Sequence, residues 1–241
     1  MTQIEKEKAF FNWSGGKDSA LALYKSLQDN KYQIDSLLTS ISKEHQRVSL
    51  HGVRLDLLRK QAENIGIQLK IIEIDENSNM DSYEKMMSEA MEFYNHQNYK
   101  VSIFGDIFLE DLRQYRENKL SKHGFKGIFP LWNEDSHETI KSFIELGFKS
   151  IITCVNENYL NKSFVGRLID QNFLNDLPKN VDPCGENGEY HSFVFDGPIF
   201  KKRIEFKTGE IILKKYPAPK NNSNNQKLSS YNFWFMDLIP L

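Results

Sequence analysis

One heptapeptide near the N-terminus constrains the fold more than any other part of the sequence. It reads Trp-Ser-Gly-Gly-Lys-Asp-Ser at residues 13–19, between an apolar run at residues 9–13 and a run with helical spacing at residues 20–27. The order strand, turn, helix places the backbone N–H groups of the turn at a helix N-terminus, where an anion is favoured. Gly15 and Gly16 allow close approach of a phosphate because neither carries a Cβ. The heptapeptide therefore predicts a phosphate-binding turn.

Three polar side chains of the same turn also fit a nucleotide site. Ser14 and Ser19 offer hydroxyl donors, and Asp18 suits a place beside a phosphate if Mg²⁺ lies between the two groups. The Walker pattern fails because Asp18 follows the Gly-Lys pair, and the dinucleotide pattern fails because the glycines are adjacent. The segment resembles instead the pyrophosphate loop of the PP-loop ATP pyrophosphatases. The alternative, an ordinary strand–helix turn, leaves the serines and the aspartate unexplained.

Strand-like and helix-like segments alternate regularly over the first half of the chain. The predicted strands are residues 9–13, 34–40, 67–74, 101–106 and 127–132, and the predicted helices are residues 17–29, 54–64, 82–95 and 109–122. This alternation predicts an α/β fold with a doubly wound parallel sheet, which binds ligands at the carboxyl ends of its strands. Polar residues at or just beyond these ends should converge on one nucleotide. Besides the turn, they are Thr39, Ser40, His51, Gly105 and Asp106.

The alternation stops after Trp132, and we place a domain boundary there. We predict a nucleotide-binding domain over residues 1–132 and a smaller α+β substrate domain over residues 133–241. The predicted elements of the second domain are helices at residues 134–146 and 164–176, strands at 150–155 and 193–195, a hairpin from 204–206 and 211–213, and a returning strand at 233–239.

A glycine-flanked loop in this second part concentrates polar side chains. It reads Gly-Glu-Asn-Gly-Glu-Tyr-His at residues 185–191. Two carboxylates so close together need a cation or a shared proton. Glu186, Glu189 and His191 could therefore bind Mg²⁺, act as a general base or hold an amine. The alternative is a solvated surface loop whose glycines only permit turns, but a nearby nucleotide turn favours a functional loop.

Composition and charge indicate the compartment of the protein and the kinds of partner it can have. The net charge of the 241 residues is −2, which gives no electrostatic sign of a nucleic-acid partner. Cys154 and Cys184 lie too far apart for a metal-binding pair and indicate a reducing compartment. Residues 1–8 lack the apolar core of a signal peptide, and no apolar run approaches the about 18 residues of a membrane span. We expect a cytoplasmic protein without a membrane partner, either a monomer or a homodimer.

Three stretches together resemble the diphthine–ammonia ligase family. They are residues 13–19, residues 105–107 with 111–116, and residues 185–200, so the likeness spans nearly the whole chain. The resemblance implies a HUP-type nucleotide-binding domain followed by a substrate domain. It also implies a ligase that adenylates a carboxylate with ATP and then amidates it with ammonia, releasing AMP and pyrophosphate. The acceptor in the reaction that names the family is diphthine, a modified histidine of elongation factor 2.

This resemblance predicts the type of reaction, but it leaves the identity of the acceptor open. The full eukaryotic members carry C-terminal domains that this sequence does not contain. Relatives of this short form also occur in organisms without the diphthamide pathway, and residues 47–54, Arg-Val-Ser-Leu-His-Gly-Val-Arg, are closer to that branch. The acceptor is therefore diphthine on elongation factor 2 or a small-molecule carboxylate of unknown identity.

The motifs and the resemblance together predict the site residues. The predicted nucleotide-binding residues are Ser14, Gly15, Gly16, Lys17, Asp18, Ser19, Thr39, His51, Gly105 and Asp106. The predicted acceptor-binding residues are Gly185, Glu186, Asn187, Gly188 and Glu189, and the predicted catalytic residues are Lys17, Glu186, Glu189 and His191. Lys17 and Mg²⁺, with Asp18 as its ligand, would offset charge on the leaving pyrophosphate. Glu186 or Glu189 would hold ammonium and remove its proton.

Several alternatives stay open at this point. Lys17 could point into solvent, and His51 could cap the following helix. Arg113 and Arg116 could receive a carboxylate or phosphate, or could pair with neighbouring glutamates on an exposed helix face. Competing functions on the same fold are a nucleotide sensor without turnover and a tRNA-modifying or sulfur-transfer enzyme. Sulfur transfer by PP-loop enzymes uses a cysteine pair, and the predicted strand around Cys154 would bury one of the two thiols.

Overall fold

The computed structural model describes residues 6–48, 51–75, 80–217 and 230–241. The strands are β1 (Lys8–Asn12), β2 (Gln33–Ser42), β3 (Arg47–Val48), β4 (Gln68–Ile74), β5 (Tyr99–Ile103), β6 (Lys126–Ile128), β7 (Lys149–Asn156), β8 (Tyr190–Asp196), β9 (Phe206–Pro217) and β10 (Ser230–Pro240). The helices are α1 (Lys17–Asp29), α2 (Leu55–Ile65), α3 (Met80–His96), α4 (Glu110–Ser121), α5 (Ser136–Glu145) and α6 (Gln171–Asp176), with a 3₁₀ turn at Lys162–Phe164.

The first sheet is mostly parallel and has β1 at its centre. Its order is β3-β2-β1-β5-β6, with β4 also paired to β2, and only β3 runs antiparallel to its neighbour. Phe10 and Phe11 are fully buried in separate clusters, Phe10 with Tyr94 of α3 and Phe11 with Leu58 of α2. Helices therefore cover both faces, which is why β1 is apolar almost throughout. The predicted doubly wound parallel sheet is confirmed.

The second sheet is antiparallel and has the order β8-β7-β10-β9. The apolar segment at residues 233–239 returns as part of β10, as predicted, between β7 and β9. The predicted hairpin at residues 204–213 is wrong. Residues from Phe206 onward form the single strand β9, because β10 supplies a continuous antiparallel partner, with Thr208 opposite Leu238. Ile204 instead donates its N–H to Phe195 O at 2.8 Å.

The predicted helix at residues 164–176 is also wrong over its first half. Between the 3₁₀ turn and α6 the chain makes a turn at residues 165–166 and then a single antiparallel bridge between Leu168 and Ile151. There Ile152 N donates to Arg167 O at 2.9 Å, and Ile169 N donates to Ser150 O at 2.9 Å. Hydrogen bonding to β7 thus takes the backbone groups that a helix would have used internally.

One hydrophobic core joins the two sheets. A single buried cluster contains Leu21 of α1 and Leu58 of α2 together with Phe193 and Val194 of β8. β8 lies against the N-terminal end of α1, and this packing brings the second sheet to the glycine turn. The domain boundary at residue 132 stays a prediction. Within the described ranges, no helix combines the length and the apolar character needed to cross a bilayer.

Candidate active site

The glycine turn is held from two sides by hydrogen bonds to the backbone carbonyl of Gly15. Gly15 has φ +78°, a conformation that favours glycine. Its carbonyl accepts from Gln61 Nε2 at 3.0 Å and from Val194 N at 3.0 Å. A Cβ at this position would lie 2.7 Å from both Gln61 Oε1 and Leu58 Cδ2. Glycine is therefore required at residue 15 both for its φ and for its close packing against α2.

Gln61 connects three parts of the fold at the turn, and the sequence did not identify it. It is fully buried on α2, donates Nε2 to Val194 O at 2.6 Å and accepts at Oε1 from Trp13 Nε1 at 2.9 Å. With the bond to the Gly15 carbonyl, it ties the end of β1, the turn and β8 together. A glutamine on the apolar face of a predicted amphipathic helix was the available signal, because buried amides need partners.

The start of α1 is also held by groups from other elements. Lys17 N donates to Ser192 Oγ of β8 at 3.2 Å, and Ser14 Oγ and Ser19 Oγ lie 3.1 Å apart. The end of β5 is equally close, since a Cβ at Gly105 would lie 3.0 Å from Ser19 N. The turn is therefore fixed in place before any ligand arrives, which lowers the ordering cost of binding.

A cavity of about 440 Å³ opens on this turn. The predicted site residues that line it are Ser14, Gly16, Lys17, Asp18, Ser19, Thr39, His51, Gly105, Asp106, Gly185, Glu186, Gly188 and His191. Gly15, Asn187 and Glu189 are not among its lining residues. The cavity thus brings together the β1–α1 turn, the second half of β2, the segment after β5 and the 185–191 loop.

Lys17 is buried and paired, so the alternative in which it points into solvent is wrong. Its side chain is 4% exposed, with Nζ 2.7 Å from Asp18 Oδ2 and 5.0 Å from the centre of the Tyr190 ring. Burial lowers the pKa of Lys17, but the acidic groups around it, with Asp18 the foremost among them, together raise it by more, so the net pKa is raised. Lys17 therefore presents a permanent positive charge beside the turn.

Glu186 is a carboxyl group that titrates near neutral pH. Its Oε1 accepts from Ile107 N at 2.8 Å, a bond that joins the 185–191 loop to the segment after β5. Burial, and next the negative charge of Asp18, raise the pKa of Glu186 to about 7. A carboxyl with such a pKa, facing the same cavity as a phosphate turn, can take up and release a proton at physiological pH.

Glu189 has a different environment from Glu186. Its side chain is buried, and Oε1 accepts from Asp182 N at 3.0 Å and from Asn187 Nδ2 at 3.1 Å. These bonds lie within the loop and hold its shape. The sequence left Glu186 and Glu189 as equal candidates for the proton acceptor, and the geometry favours Glu186.

His51 and His191 form a pair of neighbouring rings in the cavity wall. Their ring centroids lie 4.6 Å apart, and His51 Nδ1 is 3.3 Å from Ser192 O. Burial lowers the pKa of His51 to about 4 and that of His191 well below its usual value, so both imidazoles are neutral at pH 7. The cap alternative for His51 is wrong, because Arg54 occupies the N-cap of α2 and makes no side-chain cap bond.

The two candidate arginines of α4 differ in their contacts. Arg113 pairs with Glu117 through Nε and Oε1 at 2.9 Å, as the exposed-face alternative had it. Arg116 lines the cavity instead, with Nε 2.9 Å from Asp106 Oδ2. Asp106 and Arg116 thus form an ion pair at the cavity wall that sequence spacing alone did not predict.

The two cysteines are not the reactive thiolates that sulfur transfer needs. Cys154 and Cys184 are both buried, and burial raises the pKa of each thiol well above its ordinary value. Cys184 Sγ lies 3.3 Å from Ser136 O, to which it donates. Neither side chain is a thiolate at neutral pH, and the thiolate is the reactive form.

The described residues do not form a metal site from protein side chains alone. They contain no group of three or more His, Cys, Asp or Glu side chains placed to hold an ion. Mg²⁺ is usually bound by one or two carboxylates together with substrate phosphates and water. Asp18 lines the cavity beside the turn and fits that arrangement, with a nucleotide supplying the remaining oxygens.

Comparison with known proteins links both halves of the chain to one family. A family model described as "Diphthamide synthase N-terminal domain" matches residues 7–127, and one described as "Diphthamide synthase C-terminal domain" matches residues 135–218.

Named relatives agree with these models. A diphthine–ammonia ligase of Schizosaccharomyces pombe is 27% identical over 223 residues, which cover 83% of this chain and 36% of that protein. The Homo sapiens protein of that name is 29% identical over 111 residues, 44% of this chain and 42% of the protein. The Rattus norvegicus protein is 24% identical over 230 residues, 83% of each. The chain thus spans about a third of the yeast relative's length.

Proposed function

This chain belongs to the diphthamide synthase family, and from that premise we propose that it is an ATP-dependent amide ligase. It activates an acceptor carboxylate as its adenylate and converts the adenylate to an amide with ammonia, so that AMP and pyrophosphate are released. The acceptor is diphthine on elongation factor 2 or a small-molecule carboxylate, and the reaction takes place in the cytoplasm.

The polyphosphate of ATP binds at the glycine turn. The N-terminal end of α1 and the positive charge of Lys17 favour an anion there, and Gly16 allows close approach. Mg²⁺, held by Asp18 together with the phosphates, would offset part of their negative charge. Thr39 in the second half of β2 and Gly105 just beyond β5 also line the nucleotide cavity.

In the first step an oxygen of the acceptor carboxylate attacks the α-phosphorus of ATP. The bond from that phosphorus to the bridging oxygen of the β-phosphate breaks, and pyrophosphate leaves with the negative charge. Lys17 stabilises this charge from a fixed position, because Asp18 and the Tyr190 ring hold its side chain. Catalysis here is positioning and electrostatic stabilisation.

In the second step the ammonia nitrogen attacks the carbonyl carbon of the adenylate, and AMP leaves. The nitrogen must lose one proton as the amide forms, and Glu186 accepts it. The proposal rests on the position of Glu186, which lines the same cavity as the glycine turn and is held there by Ile107 N. Burial raises its pKa to about 7, which suits a base at that pH. His51 and His191 are neutral and can orient the adenylate by hydrogen bonds, while Asn187 and Glu189 maintain the loop.

The test is to incubate the purified protein with ATP, Mg²⁺, ammonium chloride and candidate acceptors and to identify the nucleotide product. We expect AMP and pyrophosphate only when an acceptor and ammonium are present. Formation of ADP and phosphate would contradict the ligase mechanism, and tight ATP binding without turnover for any acceptor would indicate a sensor.

Two variants test which residue acts in each of the two steps. Asp18→Ala should abolish pyrophosphate release, because it removes the partner of Lys17 and the proposed metal ligand. Glu186→Ala should keep ATP binding but slow amide formation by about a hundredfold or more, the usual range for loss of a general base. Glu63→Ala, an exposed carboxylate on α2, is the matched control and should be unaffected. Normal amide formation by Glu186→Ala would show that another group takes the proton.

A further inference from the structure

A second cavity, of about 580 Å³, lies beside the nucleotide cavity and has no part in the mechanism above. We call it the junction cavity, because β2–β3 of the first sheet form one side and β9–β10 of the second sheet form the other. Arg47, Val48, Ile212, Phe235, Met236 and Asp237 are among its lining residues. Its volume falls in the usual range for small-molecule sites.

The junction cavity adjoins the nucleotide cavity. Val48 lines both, and the adjacent residues His51 and Gly52 line the nucleotide cavity and the junction cavity respectively. Phe235 of β10 packs tightly on this boundary, since a Cβ at Gly52 would lie 2.9 Å from its Cδ1. The two cavities therefore meet at Val48, and a molecule in the junction cavity would lie next to the nucleotide cavity.

Two arginine side chains contact the same aspartate at this boundary. Arg54 donates to both oxygens of Asp237, at 3.0 and 2.6 Å, and Arg47 donates to Asp237 Oδ1 at 2.7 Å. Two guanidinium groups thus share one carboxylate. Arg47 also donates to Gly52 O at 2.7 Å, and a guanidinium has five N–H donors, so donors remain for a ligand. Glu210 and Lys214, which also line the cavity, offset each other.

The rest of the wall is largely apolar. Val48, Phe235 and Met236 form part of it, and Ile212 and Ile239 of the β9–β10 pair are 43% and 40% exposed. Aliphatic side chains left exposed in a concave site mark a surface that a ligand covers. An apolar wall beside excess guanidinium charge fits a ligand with an apolar body and an anionic group.

We propose that the junction cavity binds the body of the acceptor, a free small molecule with an apolar body and an anionic group besides the reacting carboxylate. This inference rests on the proposed function, because the ligase reaction is what requires an acceptor next to ATP. The second anionic group pairs with Arg47, the body covers the wall formed by Ile212 and Phe235, and the reacting carboxylate passes Val48 to the α-phosphate. The proposal also gives Arg47, Val48 and Gly52 a role, as residues that line the junction cavity where it meets the nucleotide cavity.

A binding experiment tests the cavity without knowledge of the natural acceptor. The probe is 1-anilinonaphthalene-8-sulfonate, which combines an aromatic body with one sulfonate. Wild-type protein should bind it saturably, with or without ATP. Ile212→Trp fills the cavity and should weaken binding by about tenfold or more. Lys215→Trp, an exposed position on the opposite side of β9, is the control and should bind normally. Equal binding by wild type and Ile212→Trp would overturn the proposed cavity.

A turnover experiment separates this inference from the proposed function. With a free acceptor that supports AMP formation, Ile212→Trp should raise the KM for the acceptor by about tenfold and leave the KM for ATP unchanged. If wild-type protein forms no AMP with any acceptor, the proposed function fails, while probe binding still decides whether the cavity takes an amphipathic anion. If diphthine on elongation factor 2 is amidated at the wild-type rate by Ile212→Trp, a free small molecule is not the occupant.

Discussion

The burial that suits Glu186 to its proposed role as a base also lowers the stability of the folded protein near neutral pH. Burial raises its pKa to about 7, so the folded protein holds a proton that the unfolded chain releases near pH 4.5. Folding stability is therefore unaffected by this group below about pH 4.5 and decreases as the pH rises toward 7, because the folded state then binds more protons than the unfolded state. Such a trade between stability and activity is common at catalytic positions.

Glu186→Gln should consequently make the protein more stable at alkaline pH. At pH 8 we expect the free energy of unfolding to increase by about 1–2 kcal/mol, because the amide carries no charge to desolvate and its oxygen can still accept from Ile107 N. Most of the difference should disappear at pH 5. Urea unfolding at both pH values measures the effect. A gain of equal size at both values would show that Glu186 does not titrate between them.

At the scale of elements, α2 stabilises the turn through Gln61. Gln61→Leu has a similar volume but leaves Trp13 Nε1 and the Val194 carbonyl without this buried partner, so we expect a loss of about 2–4 kcal/mol in the free energy of unfolding. The KM for ATP should rise as well, because the turn loses one of its two clamps. Thermal unfolding and steady-state kinetics test this.

The control for this substitution is Gln68→Leu, which changes an exposed glutamine at the start of β4. A surface replacement of this kind is expected to alter stability by less than about 0.5 kcal/mol. Equal effects of the two substitutions would mean that the three hydrogen bonds of Gln61 contribute little.

Elements with local signals could be predicted from the sequence, and those decided by distant partners could not. The strand–turn–helix at residues 9–29 has its apolar runs and glycines in one continuous stretch, and it folds as expected. The predictions of a hairpin at residues 204–213 and of a helix from residue 164 were wrong, because β10 and β7 supply the hydrogen bonds of these segments. Contacts of high sequence separation leave no mark on local periodicity.

The same limit applies to the candidate site. The motifs at residues 14–19 and 185–191 were visible because glycines and polar residues cluster there. Ser192 and Gln61 were not, since each contacts the turn from more than 40 residues away in the sequence. The pKa of Glu186 likewise depends on burial, which only the assembled fold provides.

At the scale of the whole molecule, one buried cluster includes residues of both sheets. We therefore predict a single cooperative unfolding transition, even though the two family models divide the chain. Far-UV circular dichroism and tryptophan fluorescence should give coincident melting curves, and the calorimetric enthalpy should equal the van't Hoff enthalpy. Two separated transitions would show that the halves of the chain fold independently.

The two-sided clamp on the glycine turn has a consequence for synthesis on the ribosome. The turn emerges from the ribosome long before Ser192 of β8, which holds it and lies 175 residues after Lys17. A nascent chain therefore carries the complete glycine motif, without the groups that fix its shape, until β8 has been made. The turn takes its final shape only when β8 has folded against it.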